Sequence, residues 1–498
     1  MRRPLRVICS LLSALAPGPA LGQPLAPDAP GPDPSTVNVT ISNDLEIRYW
    51  ISDARLPDPP DVPVFNYVEQ VNRLNARAAL ERWSFAAQVD EVALLANRYF
   101  LDDVLQTERR LLDPAVPNVF GADTDAYVNL EKVKLAFEER WGVVALGDAY
   151  AAFGRGVALN LNRNVDIDID TSIQGAKAVL RPGAWDITLV AGQLNRQQVF
   201  QDNPNLDLYG DLRHSLGGVR LERFGLGPAN LGAHGVVYDF VDTPGIGAGL
   251  SELSSPVDVL VGGATAELIG VGGIDWFIEG DLFRFGEDHP SPLGPDASPL
   301  GHALYLSSAF YPGPLVFLVE AKRYQQAERI NAVLAPELYE VAIAPTLEYE
   351  RVITEDSSAA INSNDVWGGR VQVDWGAIPG ELAPSLALAV FRDLELGGLH
   401  FNAQPETIIH PVATVEWIKG DLGLLANAGH RWDLRDSDGG ADRQLHSDVS
   451  FNFPLGHELI GYMSLQGEWF RWGINELQQE DYVETETGWT ISYGSKAG

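Results

Sequence analysis

The sequence predicts an all-β fold, a transmembrane antiparallel up-and-down β-barrel of roughly 18 to 22 strands with short turns on one side and long loops on the other. Three observations support this prediction. The strands have two unlike faces, the N-terminus is typical of an exported protein, and short and long connections alternate along the 498 residues. No second domain is indicated.

The last predicted strand shows the two faces most clearly. Between Val483 and Tyr493 the odd positions are apolar, aromatic or threonine, whereas the even positions are acidic, polar or glycine. A period of two residues is typical of a strand between two environments. The same alternation occurs at 338–350, 365–375 and 457–469, where a slip of one residue would turn the charged side chains to the apolar side.

The N-terminus has the three parts of a secretory signal. Arg2, Arg3 and Arg6 precede a short apolar run, and small residues at 20 and 22 predict cleavage before Gln23. The only cysteine, Cys9, lies in the part removed, so the mature chain has no thiol. The predicted organisation is a signal peptide (1–22), a Pro-rich disordered lead-in (23–36), the outer-membrane β-barrel (37–493) and a C-terminal extension (494–498).

Turn signals divide the chain into pairs of neighbouring strands. The join 181–184 (RPGA) and its counterparts at 224–227 and 311–313 are typical of tight hairpins. The stretch 92–106 fits either a strand or a short helix. The predicted pairs are 71–82 with 84–92, 127–139 with 142–150, 173–181 with 185–194, 213–224 with 227–240, 257–270 with 272–284, and 301–311 with 313–324.

Tryptophans fall on the apolar faces of predicted strands, often near their ends. The five are Trp367, Trp375, Trp417, Trp469 and Trp489. This placement is typical of the aromatic girdles of a membrane barrel. Aromatic residues also collect in the core of a β-sandwich, so a soluble secreted β-rich binding protein is the alternative.

The net charge of −33 makes nucleic acid an unsuitable partner, because its phosphates would be repelled. In a barrel, acidic residues in the lumen favour cations. The same charge could serve solubility alone. The predicted role is a porin-like channel or transporter for a small cationic or neutral solute or an exported polymer, with outer-membrane lipid and the barrel assembly machinery as partners.

Residues 141–195 carry a more specific pattern: 147–150 (GDAY), 153–156 (FGRG), 166–170 (DIDID) and 173–175 (IQG). This pattern resembles a family of Gram-negative outer-membrane β-barrel proteins of unknown function, which are porin-like. The resemblance implies the outer membrane of a Gram-negative bacterium and the barrel fold, and it implies no activity. The terminal Gly498 departs from the aromatic last residue that outer-membrane barrels usually carry.

Five residues of this pattern are candidates for contact with a solute in the lumen: Asp148, Arg155, Asp166, Asp168 and Asp170. An arginine in a lumen can bind an anionic group with two hydrogen bonds. The alternative for Arg155 is a buried structural ion pair at a chain reversal, where glycines allow tight geometry. The three aligned aspartates could hold Ca²⁺, but they lack a glycine turn, which favours a strand that lines water.

Other motifs indicate little chemistry. Residues 436–442 resemble a calcium loop, yet Ser447 stands where its last ligand, a glutamate, is needed. There is no G-x-S-x-G elbow. Histidines collect late in the chain, at His400, His410, His430, His446 and His457. The sequence therefore predicts no catalytic residue, no metal and no cofactor, with a membrane-barrel hydrolase or adhesion platform as the alternative.

Overall fold

The computed structural model describes fourteen stretches of the chain. Within them the backbone forms strands and turns, and none of these residues belongs to an apolar helix of membrane-spanning length. The described stretches are 37–52, 65–96, 126–161, 163–164, 169–170, 172–195, 215–240, 257–285, 300–325, 366–393, 406–435, 441–456, 459–473 and 479–493.

Most of the described residues belong to one 20-stranded antiparallel sheet, named here the wall. Its strands are β1 (Asn38–Ser52), β2 (Phe65–Leu80), β3 (Trp83–Ala96), β4 (Ala126–Glu139), β5 (Gly142–Ala149), β10 (Ser172–Leu180), β11 (Trp185–Asn195), β12 (Ser215–Leu226), β13 (Ala229–Phe240), β14 (Val257–Val271), β15 (Ile274–Phe285), β16 (Leu300–Phe310), β17 (Leu315–Gln325), β18 (Val366–Trp375), β19 (Leu382–Asp393), β20 (Glu406–Lys419), β21 (Leu422–Arg435), β22 (Ala441–Gly456), β23 (Leu459–Gly473) and β24 (Gln479–Tyr493). Four shorter strands lie between β5 and β10: β6 (Ala151–Phe153), β7 (Leu159–Leu161), β8 (Arg163–Asn164) and β9 (Ile169–Asp170).

Each wall strand pairs antiparallel with the next wall strand along the chain, and β5 pairs directly with β10. This is an up-and-down order, because every connection joins spatial neighbours. The predicted all-β, antiparallel up-and-down fold is confirmed, and the number of strands lies within the predicted range.

The six predicted strand pairs are also confirmed, with short turns between them. Left-handed glycines make two of these turns, Gly183 at φ 69° and Gly313 at φ 66°. The stretch 92–106 is a strand as far as Ala96, and its remainder lies outside the described residues. The predicted strand at 338–350 also lies outside them.

The two faces of the wall differ in exposure from one residue to the next. On β15, Leu282 is 69% exposed, whereas its neighbours Asp281 and Phe283 are 2% and 1% exposed. On β18, Trp367 and Val371 are exposed, and Arg370 contacts Glu320 on the opposite face. The outer face is therefore apolar and open, and the inner face carries both apolar and charged side chains.

Exposed aromatic residues gather at the short-turn end of the wall. Trp83, Trp141, Trp185, Tyr311 and Trp375 each lie within one residue of a short connection. Amphipathic rings at one level of an apolar wall are typical of a membrane interface.

The structure describes the side chains of three of the five predicted girdle tryptophans. Trp367 and Trp375 are exposed on the outer face, in agreement with the girdle, and Trp417 is half-buried. The side chains of Trp469 and Trp489 lie outside the described residues.

Candidate functional site on the inner wall

Residues 150–161, named here the inward segment, leave the wall after β5 and lie against its inner face. Gly156 N–H donates to the Phe153 carbonyl at 3.0 Å and closes a turn, after which β7 runs back along β6. The Tyr238 hydroxyl of β13 donates to the Ala158 carbonyl at 2.6 Å. Phe153, Val157 and Leu159 are buried in one apolar cluster with residues of the inner wall. The wall strands thereby hold the segment against their inner face.

A compact group of ionisable side chains lies under the inward segment. His234 on β13 and Asp281 on β15 make a contact of 2.6 Å between Nε2 and Oδ1. Glu279, two residues before Asp281, accepts a hydrogen bond of 2.6 Å from the Arg155 backbone N–H. All three side chains are buried. His234, Glu279 and Asp281 are named the inner cluster.

A second charged group continues along the same inner face. Glu320 on β17 accepts from the Arg370 Nε at 2.8 Å and from the hydroxyl of Tyr305. Glu320 and Tyr305 are buried, whereas Arg370 is half-buried. An arginine and a phenol on one carboxylate satisfy both of its oxygens, which is how a buried charge remains stable.

Cationic side chains occupy a different part of the inner face, on β4 and β10. The Lys132 ammonium donates to the Tyr150 hydroxyl at 2.8 Å, and Lys177 donates to the Tyr150 carbonyl at 2.5 Å. Lys134 lies two residues beyond Lys132 on the same strand and is half-buried. These three lysines are named the lysine patch, and two of them, Lys132 and Lys177, bind the start of the inward segment. The segment therefore begins at the lysine patch and passes the carboxylates of the inner cluster.

Two of the predicted solute-contact residues lie within this region. Asp148 is buried and accepts hydrogen bonds from Val133 N–H at 2.7 Å and from the Ser172 hydroxyl at 3.1 Å. The buried ion pair considered for Arg155 is wrong. Its side chain is exposed, and its guanidinium carbon lies 4.7 Å from the centre of the Phe277 ring. Contact of Asp148 and Arg155 with a solute stays a prediction.

The three predicted strand aspartates are only partly described. Asp166 and Asp168 lie outside the described residues, and Asp170 pairs through its backbone with Arg163 in the short β8–β9 ladder. Among the late histidines, His410 lies on the polar face as predicted. Its Nε2 is 2.8 Å from the Nε2 of His446, and both side chains are buried.

The inner cluster was not predicted from the sequence. Its members look like ordinary inward-facing polar residues of separate strands, with no spacing that would join them. The one local signal was the glycine-rich turn around Arg155, which places a backbone N–H beside Glu279, 124 residues later. The strand period correctly predicted which side chains face inward, and pairing between distant strands then decided which of them meet.

No protein-family profile and no curated protein matches the chain. Solved structures do match, across 83% of this chain. Acinetobacter baumannii OccAB2 has 10% sequence identity and a TM-score of 0.44 over 96% of its own chain. The outer membrane protein OpdK of Pseudomonas aeruginosa has 10% identity and a TM-score of 0.43 over 96% of its chain. A BenF-like porin of Pseudomonas fluorescens Pf-5 has 11% identity and a TM-score of 0.39 over 97% of its chain. At these scores the assignment of the fold rests on the strand order and registers described above.

Proposed function

We propose that the chain is a porin-like β-barrel of the Gram-negative outer membrane that passes a small solute through a lumen narrowed by the inward segment. The observation that carries the proposal is the contrast between the faces of the wall. The outer face exposes apolar side chains, with aromatic residues at its short-turn end. The inner face carries charged side chains and the inward segment. Exposed apolar area of this extent fits lipid, because in water it would drive aggregation.

The proposal extends to the ends of the chain. Residues 1–22 act as a cleaved signal, 23–36 form a flexible lead-in, and 494–498 extend beyond the last barrel strand, β24. The barrel assembly machinery inserts the mature chain. Selection depends on charge and width, with no bond chemistry, so the protein is not an enzyme.

Charge of both signs lies along the inward segment. The lysine patch and the inner cluster lie at different places along one passage. A solute that crosses the lumen would therefore pass through the electric field between these lysines and carboxylates. The net charge of −33 favours cations at the passage entrances. A cationic or neutral solute fits this arrangement, and Arg155 is the exposed charge of the segment that it would meet.

The test is ion conductance of the refolded mature chain in planar lipid bilayers, with a salt gradient to measure selectivity. We expect discrete, cation-preferring steps. Arg155→Ala removes a positive charge from the segment and should increase cation preference. Arg223→Ala is the matched control, because Arg223 lies at the short-turn end, 5.7 Å from the Trp185 ring, and should leave selectivity unchanged. Anion preference in the native chain would contradict the proposed solute class.

A barrel with a closed lumen is the second candidate function. Tyr238, Phe285, Tyr324 and Phe391, which lie near the long-loop ends of their strands, are almost fully buried, so other groups cover this part of the inner face. Insertion without any conductance would favour this reading, in which the barrel acts as an adhesion platform or enzyme. Failure to insert would favour a soluble secreted protein.

A further inference from the structure

The inner cluster brings three metal-binding residue types together. His234, Glu279 and Asp281 each offer one ligand atom, and these atoms lie within 4.8 Å of one another. The residues come from β13 and β15, which are separated by β14. Their exposures are 7%, 1% and 2%, so each is more than nine-tenths buried. The wall strands thus fix these side chains in one place away from bulk water.

Two carboxylate oxygens of the cluster are buried without a hydrogen-bond donor, Glu279 Oε1 and Asp281 Oδ2. The other oxygens have partners, because Glu279 Oε2 accepts from Arg155 N–H and Asp281 Oδ1 contacts His234 Nε2. A buried carboxyl group is stabilised by a paired group, by protonation or by coordination of a metal. Glu279 Oε1 and Asp281 Oδ2 therefore receive no hydrogen bond from the described residues of the protein, and a cation can coordinate them.

Two glycines make room for the cluster. A side chain at Gly263, on the intervening strand β14, would collide with both Asp281 and His234. A side chain at Gly154, in the inward segment, would collide with the carboxylate of Glu279, and the backbone there is left-handed at φ 59°. The histidine and the two carboxylates are thus accommodated by bare backbone on the wall and on the segment.

We infer that His234, Glu279 and Asp281 bind a divalent transition-metal cation, of the chemical class of Zn²⁺, which fastens the inward segment to the wall. A neutral imidazole with carboxylate oxygens suits Zn²⁺ and its neighbours, and three protein ligands leave a position for water. The two carboxylates supply negative charge that attracts the cation. Bonds of about 2.0–2.2 Å require a small closure of the side chains around the ion. Glu279 links the metal to the inward segment, because its Oε2 accepts a hydrogen bond from Arg155 N–H.

The test is calorimetric titration of Zn²⁺ into the metal-free mature chain refolded in detergent. One Zn²⁺ per chain is expected. His234→Gln, Glu279→Gln and Asp281→Asn should each weaken binding by more than the roughly 10- to 100-fold that loss of a second-shell partner costs. Thiols make no contribution, because the only cysteine, Cys9, lies in the proposed signal peptide, which the mature chain lacks. Co²⁺ in place of Zn²⁺ should give a visible absorption band that the three variants lose.

Two control substitutions change the same residue types elsewhere. Glu267→Gln alters an exposed carboxylate that accepts a hydrogen bond from Asn230, and His430→Gln alters a half-buried histidine whose ring centre lies 4.1 Å from that of Trp432. Both should bind Zn²⁺ like the native chain. Circular dichroism checks refolding of every variant. If Glu279→Gln does not refold, Glu279→Asp replaces it, since it keeps the charge and shortens the reach, and it should also weaken binding.

The fastening role has its own measurement. Zn²⁺ should raise the thermal unfolding midpoint of the native chain and of both controls, but not that of Asp281→Asn. Absence of stoichiometric Zn²⁺ binding, or equal affinity in the native chain and all three variants, would overturn the inference. Tighter binding of Ca²⁺ than of Zn²⁺ would overturn the metal class. These measurements need no ion flow, so they stand or fall separately from the proposed channel.

Discussion

The outer and inner faces of the same strands stabilise the barrel in different ways. On β15, Leu282 points outward and is 69% exposed, while Glu279 and Asp281 point inward and are buried against the inward segment and β13. An outer residue needs only to be apolar, because lipid makes no directional demand. An inner charge needs a particular partner at hydrogen-bond distance. The outer face should therefore tolerate exchange among apolar residues, and the inner face should not tolerate loss of one partner.

The largest effect is expected from breaking an inner ion pair. Arg370→Leu would remove the guanidinium group from the buried Glu320. Of the two donors described above, only the Tyr305 hydroxyl would remain on that carboxylate. Removing one member of a buried pair costs about 3–5 kcal/mol, and the partial exposure of Arg370 places this case near the lower end. The free energy of unfolding, measured by urea titration of the barrel in lipid vesicles, checks this value.

A second variant tests the reason for that loss. Adding Glu320→Gln to Arg370→Leu removes the uncompensated charge and should recover most of the stability. If the double variant were as unstable as the single one, lost packing of the arginine stem would be the cause.

A somewhat smaller effect is expected from a charge on the outer face. Leu282→Arg places a cation on the most exposed part of β15 and should cost about 2–4 kcal/mol if it lies at the bilayer midplane. Gln372→Arg is the matched control, because Gln372 lies on the inner face of β18 beside Asp374. The same vesicle titration applies. Equal losses in the two variants would contradict the assignment of lipid and lumen faces.

The smallest effect is expected from the loss of a single neutral hydrogen bond between the inward segment and the wall. Tyr238→Phe removes the donor to the Ala158 carbonyl and leaves that oxygen buried, at a cost of about 1–3 kcal/mol. Since the bond holds the segment, current fluctuations in planar bilayers should also increase. Unchanged stability together with unchanged current noise would show that the segment is held by its apolar contacts alone.

The side of the wall that each side chain faces was predictable, because it depends on the alternation of residues along one strand. The alternation at 365–375 predicted correctly that Trp367 and Val371 lie outside and Arg370 inside. The Pro-Gly turns at 181–184 and 311–313 predicted the hairpins, since proline and a left-handed glycine are local requirements of the backbone. The motif around Arg155 was recognised as a chain reversal, but its expected buried ion pair was wrong.

By itself, the sequence determined the strand period, the tight turns and the apolar outer rows, because each depends on residues a few positions apart. Only the tertiary structure decided that residues 150–161 turn inward, that Arg155 N–H meets Glu279, and that His234 meets Asp281. These contacts join residues 47 to 124 positions apart. Such pairs depend on strand register and on the space left by Gly154 and Gly263, which no local pattern encodes.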